Sequence, residues 1–147
     1  AVPLYERAIG LQEKAHGVDS PAGAAILLPL ARALRAQRAD ADAETAAGRS
    51  LRIWEATLPS GHPVVVETLK MLTGSLYAQE KLAEVAPLYE RLLVIFDEQF
   101  GPRSPKVEKL LLRLAEVSAA IGKESAAEEY RQRAATISGN TNVSGPP

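Results

Sequence analysis

Three prolines, Pro21, Pro63 and Pro105, lie 42 residues apart, and they close the segments HGVDSP, LPSGHP and FGPRSP. A fixed step of this size constrains a chain more than its composition does. Self-similarity at a period of about 20–50 residues is the mark of stacked repeats. Other positions keep the same step: Leu27, Leu69 and Leu111; Leu30, Leu72 and Leu114; Leu11, Ile53, Ile95 and Ile137. Arg7, Arg49, Arg91 and Arg133 form a basic series, and Glu13, Glu55 and Asp97 an acidic one. Five series in one register make the period a property of the whole chain.

Each period reads helix, turn, helix. After Pro63, the residues Val66, Leu69, Leu72 and Leu76 recur at helical spacing, and Leu88, Leu92, Ile95 and Phe96 mark a second helix. Ser20 and Ser104 precede the repeated proline and read as N-caps with proline at the first helical position. Gly101 suits a helix C-terminus. Seven helices follow, over about residues 1–15, 22–37, 41–57, 64–79, 83–100, 106–121 and 125–137. Short connections make consecutive helices antiparallel, and stacking buries the stripe that each hairpin alone leaves bare. Small residues at Ala31, Thr73 and Ala115, and at Ala43, Val85 and Ala127, allow close approach. The expected fold is all-α: a right-handed superhelical solenoid of antiparallel helix pairs, about three 42-residue repeats plus one leading helix. The repeat domain spans 1–137 and a turn-rich tail, expected to be flexible, spans 138–147.

The pentapeptide PLYER occurs at Pro3–Arg7 and again at Pro87–Arg91. Read against the period it is a phase mark: proline in the first turn of a second helix, leucine and tyrosine toward neighbouring helices, arginine in the basic series. Pro29 falls inside a helix, removes one backbone donor and crowds the carbonyl of Ala25, so a kink is expected there.

The totals narrow the function. Lys+Arg number 17 and Asp+Glu 18, which argues against non-specific binding to nucleic acid or a membrane surface. Cysteine is absent, so disulfide frameworks and thiol chemistry are excluded. The longest apolar runs, AAILLPLA and LLVIF, are far short of the ~20 residues that span a bilayer. The opening helix carries no signal-peptide pattern, and no compartment is indicated beyond the cytoplasm as a default. His16 and His62 sit in inter-repeat turns without carboxylates at ligand spacing, so they read as turn and cap residues and no metal site is expected. No phosphate loop and no acid–base or nucleophile constellation appears. The chain is read as non-catalytic, with no cofactor.

The segments AVPLYERAIGLQEKAHGVDSP and VAPLYERLLVIFDEQFGPRSP resemble the tetratricopeptide-repeat family in its 42-residue, kinesin-light-chain-like form; TAAGRSLRIWEATLPSGHP is a diverged copy. The resemblance covers residues 1 to about 137. It implies a module that binds a peptide or protein in the concave groove lined by the first helix of each repeat. An alternative is a regulatory or sensor segment of a larger bacterial signalling or protease protein. The asparagine pair with which such helices often hold a peptide backbone is missing: the matching positions are Leu28–Pro29, Lys70–Met71 and Leu112–Arg113.

Carried over from the family, the groove positions are Ala25, Leu28, Arg32 and Arg35; Glu67, Lys70, Gly74 and Tyr77; and Lys109, Leu112, Glu116 and Ala119. Arg32, Arg35, Lys70, Tyr77 and Lys109 are the expected partner-binding residues. Arginine grips carboxylates through two parallel hydrogen bonds and tyrosine offers a flat contact, so an acidic segment or a free C-terminal carboxylate is the expected ligand. The other reading of the same residues is a solvated charged face, with Glu67 and Glu116 neutralising the lysines. Trp54 reads either as a packing residue between repeats or as an exposed anchor. On the leading helix, Leu4, Ile9 and Leu11 are expected to lack cover on one side, which would suit an upstream helix or self-association.

Overall fold

The computed structural model describes residues 2–17 and 19–142, apart from the side chains of 140–142. Its helices are α1 (Val2–His16), α2 (Pro21–Ala36), α3 (Asp40–Thr57), α4 (Pro63–Ala78), α5 (Leu82–Phe100), α6 (Pro105–Ala120) and α7 (Glu124–Asn142). No strand occurs among the described residues. The architecture is the all-α helical repeat implied by the period. We call α2, α4 and α6 first helices, and α1, α3, α5 and α7 second helices.

The helix starts are set by chemistry the sequence repeats. Ser20 Oγ accepts a hydrogen bond from the Gly23 backbone N–H, and Ser104 Oγ accepts one from that of Lys106, both at 3.1 Å. His62 does the same work with its ring: Nδ1 accepts from the Val64 N–H at 3.1 Å. Each satisfies one donor that a helix N-terminus leaves unpaired, and the proline that follows has no donor to lose. The turn inside each repeat is equally periodic. Arg38, Glu80 and Gly122, again 42 residues apart, all take positive φ, at 60°, 59° and 84°. Only glycine adopts that conformation without a steric cost.

The chain divides into two compact units, one ending at Lys81 and the other beginning at Leu82. In the first, α2 packs against α1 and α3, and α4 against α3 and α2. Its core gathers Ile9, Leu27, Leu30, Leu34 and Ile53 around Ala24, Ala31, Ala43 and Ala47. Ile9 is buried there, so the expectation that it lacks cover is corrected: it lies on the side of α1 that meets α2. Trp54 packs against the same cluster, in agreement with the packing reading. Its indole Nε1 is buried without a partner among the described residues. In the second unit α6 packs against α5 and α7, around Leu111, Leu114, Val107 and Val117. The small residues Ala31, Thr73, Ala115, Ala43, Val85 and Ala127 are all buried.

Of the prolines within helices, Pro29 lies inside α2 as expected, and Pro87 departs from expectation. Pro87 is not in a first turn: α5 starts at Leu82 and passes through it. The carbonyl left without its donor belongs to Ala83, which is exposed, so solvent can reach it. In the same way α2 continues through Pro29, and the unpaired carbonyl is that of exposed Ala25. In the first PLYER copy Leu4 faces solvent rather than a neighbouring helix, at 68% exposure. At the other end α7 extends to Asn142, past the boundary expected at 137. Residues 143–147 of the expected tail lie outside the described residues.

Candidate functional site

In the first unit, α2 and α4 bring Arg32, Arg35, Lys70 and Tyr77 onto neighbouring helix surfaces. Arg32 forms an ion pair with Glu67 across the two helices. One turn further along α2, the Arg35 guanidinium lies against the Cα of Gly74, in space that a side chain at 74 would occupy. Lys70 and Tyr77 flank Gly74 on the same face of α4, four residues before and three after it. Arg35 Nε also sits 3.5 Å from a carboxylate oxygen of Asp40, at the start of α3. Lys70 is exposed, and Tyr77 is 47% exposed.

Charge on this face is thus partly met from within. Glu67 attends Arg32 and Asp40 attends Arg35. The Arg32–Glu67 pair is half exposed on both sides, and pairs of that kind contribute only ~0.2–1 kcal/mol, little enough for a ligand to exchange. Leu28, assigned to the groove by the family pattern, is buried and does not line it. Glu67 neutralises an arginine where a lysine was expected.

The second unit presents a different surface. On α6, Lys109, Leu112, Arg113 and Glu116 are exposed, Leu112 at 47%. Among the described residues neither Lys109 nor Arg113 forms an ion pair. Lys106, a turn earlier, places its ammonium 4.2 Å from the Phe100 ring centre, and Phe100 meets Phe96 edge-on. Arg113 is a residue that sequence reasoning missed. It occupies the second position of the absent asparagine pair, and its freedom from a partner depends on side-chain geometry that spacing does not encode.

Perturbed acidities fall outside these faces. Glu44 on α3 accepts hydrogen bonds from Lys81 and Gln79, each at 2.9 Å. The Lys81 contact holds its carboxyl below the ordinary value, against an opposing effect of burial. Burial, with the Glu90 carboxylate beside it, pushes the Tyr130 hydroxyl up. The first ties α3 to the turn after α4, and the second ties α7 to α5. Among the described residues no three His, Asp or Glu side chains converge to hold a metal ion.

Residues 24–64, covering nearly all of α2, all of α3 and the turn to α4, match the family model of the tetratricopeptide repeat. The chain is similar to a Podosopora anserina structure described as nearly identical TPR-like repeats of a kinesin light chain, with a TM-score of 0.75 and 24% identity, over 97% of this chain and 68% of that one. One segment of the chain thus matches a tetratricopeptide repeat, and the chain shares its fold with this kinesin-light-chain-like repeat structure. BtubC (BKLC) from P. vanneervenii is similar too, with a TM-score of 0.72 and 22% identity over 99% of this chain and 58% of its own. At these identities the likeness is one of fold. No curated protein matches the chain in sequence. Tetratricopeptide repeats serve generally as protein–protein interaction scaffolds and are typically non-catalytic. Their chemistry lies in what the helix faces display.

Proposed function

We propose that the chain binds a peptide or protein partner along the exposed faces of its first helices. In the first unit acidic groups of the partner meet Arg32, Arg35 and Lys70, and Tyr77 supplies a flat contact; in the second unit Lys109 is a separate contact for an acidic group. The observation that carries this reading is the assembly of Arg32, Arg35, Lys70 and Tyr77 on adjoining faces of α2 and α4. Arg32 and Arg35 are already near carboxylates of the chain. A ligand carboxylate therefore exchanges with Glu67 or Asp40 at small cost, while Lys109 takes a ligand without any exchange.

Selection of peptides from a displayed random library against the whole chain tests the proposal. Labelled peptides from the selection are then titrated by fluorescence anisotropy. Enrichment of Asp and Glu is expected, with affinity falling as salt rises. Lys70→Ala and Lys109→Ala should each weaken binding several-fold, and Arg32→Ala less, because Glu67 is released at the same time. Selected peptides without acidic enrichment, or affinities untouched by all three substitutions, would overturn it.

A further inference from the structure

Gly74 is a glycine that the fold of α4 does not require. Inside a helix glycine costs stability relative to alanine, because ordering it removes more backbone freedom. It is needed where φ is positive or where two main chains touch. Gly74 lies within the regular helix Pro63–Ala78, and positive φ is found at other glycines. The three atoms nearest to the place a Cβ would take all belong to the side chain of Arg35: Nη1, then Cζ at 3.1 Å and Nη2 at 3.7 Å. These are the far end of a flexible chain, which can swing aside, so a methyl group at 74 is compatible with the fold.

The other helical glycines lack such an occupant. Gly10, Gly48 and Gly139 have nothing within 4 Å at the same place, and Gly23 meets Ser20 Oγ of its own cap at 3.4 Å. Arg35 is also held from a second direction, by the Asp40 carboxylate 3.5 Å from its Nε. Asp40 is itself tied to α4: the Gln79 side-chain amide donates to the Asp40 carbonyl at 3.3 Å and to Glu44 at 2.9 Å. Both walls around the guanidinium are therefore referenced to α4. A guanidinium is flat and weakly hydrated and can lie against a main chain, whereas an ammonium keeps its water. The confinement shows in exposure, 38% for the Arg35 side chain against 52% for Arg32.

We propose that Gly74 is a positioning residue for ligand binding. Its missing Cβ makes a slot in α4 that holds the Arg35 guanidinium across the seam between α2 and α4, with Lys70 and Tyr77 on either side. The slot fixes where an acidic group of the partner is received, and it does so by ordering Arg35 before the partner arrives. This rests on the peptide-binding reading given above and adds the residue that sets the place of its most confined cation.

The test uses the whole chain and three measurements. Solvent exchange of the Arg35 Nε–H, followed by NMR without ligand, should be several-fold faster in Gly74→Ala than in the parent. Affinity for the library-selected acidic peptides should fall several-fold in Gly74→Ala, about as far as in Arg35→Ala, and Gly74→Ala should add nothing once Arg35 is alanine. The thermal unfolding midpoint of Gly74→Ala should hold or rise. Gly48→Ala, in open space on α3, should leave exchange and affinity unchanged. Equal Nε–H exchange in parent and Gly74→Ala, or a lowered midpoint that marks a packing glycine, would overturn the slot whatever the peptides do. Faster exchange with full affinity would overturn the positioning role and leave the peptide reading standing, provided that Arg35→Ala still weakens binding. Affinity untouched by Arg35→Ala would sink the positioning role together with the part of the peptide reading that names Arg35.

Discussion

Helices α1 and α7 occupy the same register of the repeat and treat its two faces in opposite ways. Helix α7 buries Ala127, Ala134 and Ile137 on the side that meets α6. Its other side carries Arg131, which pairs with Glu124 and Glu128, and exposed Ala135. Helix α1 packs Tyr5 and Ile9 on that second side and leaves Leu4 and Leu11 to water on the first. The same backbone element thus has two seams, and side-chain chemistry decides which seam suits water and which suits a neighbour. A charged residue at register 131 needs no cover. A leucine at register 4 or 11 gains free energy from any apolar neighbour that covers it.

The largest test of this contrast lies at one register position. Ile137 and Leu11 are equivalent by the period, yet only Ile137 is buried. Ile137→Ala should cost about 2–5 kcal/mol in urea unfolding through lost burial and the cavity left behind. Leu11→Ala should stay within about 0.5 kcal/mol, as surface substitutions do. Equal losses would erase the distinction between the two helices. A smaller difference is expected at the arginines. Arg133→Ala removes the Asp97 contact and should cost at most about 1 kcal/mol, an effect that shrinks in high salt. Arg7→Ala should be silent in the same assay.

The smallest effect sharpens the comparison at register 4, where α7 has Tyr130 and α1 has Leu4. The Tyr130 hydroxyl donates to Glu90 at 3.2 Å, and its pKa in the folded chain is raised above the ordinary value. A raised folded value means that the contribution to stability is fully present below about pH 10, the value for an unfolded tyrosine. It is lost as pH climbs from there through the higher folded value. Tyr130→Phe should flatten this alkaline decline in a series of unfolding curves. An unchanged decline would assign it to other groups.

Much of this was legible in the sequence, and for identifiable reasons. Helix starts came through because Ser20, Ser104 and the repeated prolines act locally, within a few residues of themselves. The register came through because Leu69 and Leu111 must sit at one depth in every repeat. The end of α7 did not: SGNTN has no apolar periodicity, yet the helix continues beyond Ile137, which anchors it. The resemblance to the family pattern is what gathered Arg32, Arg35, Lys70 and Tyr77. It could not show that Glu67 and Asp40 already attend the two arginines, since that depends on the rotation of α2 against α4 and on the start of α3. Nor could a pattern of separate series reveal that the arginines and acids of the period are partners 36 residues apart.

Pro29 has a consequence for recognition. A regular helix keeps its carbonyls for itself and offers a visitor only side chains. By withholding one N–H, Pro29 leaves the carbonyl of Ala25 unclaimed at an exposed position of α2. At that point the helix can speak to another main chain in the language of strands, one carbonyl to one amide, in a repeat where no asparagine side chain stands ready to do so.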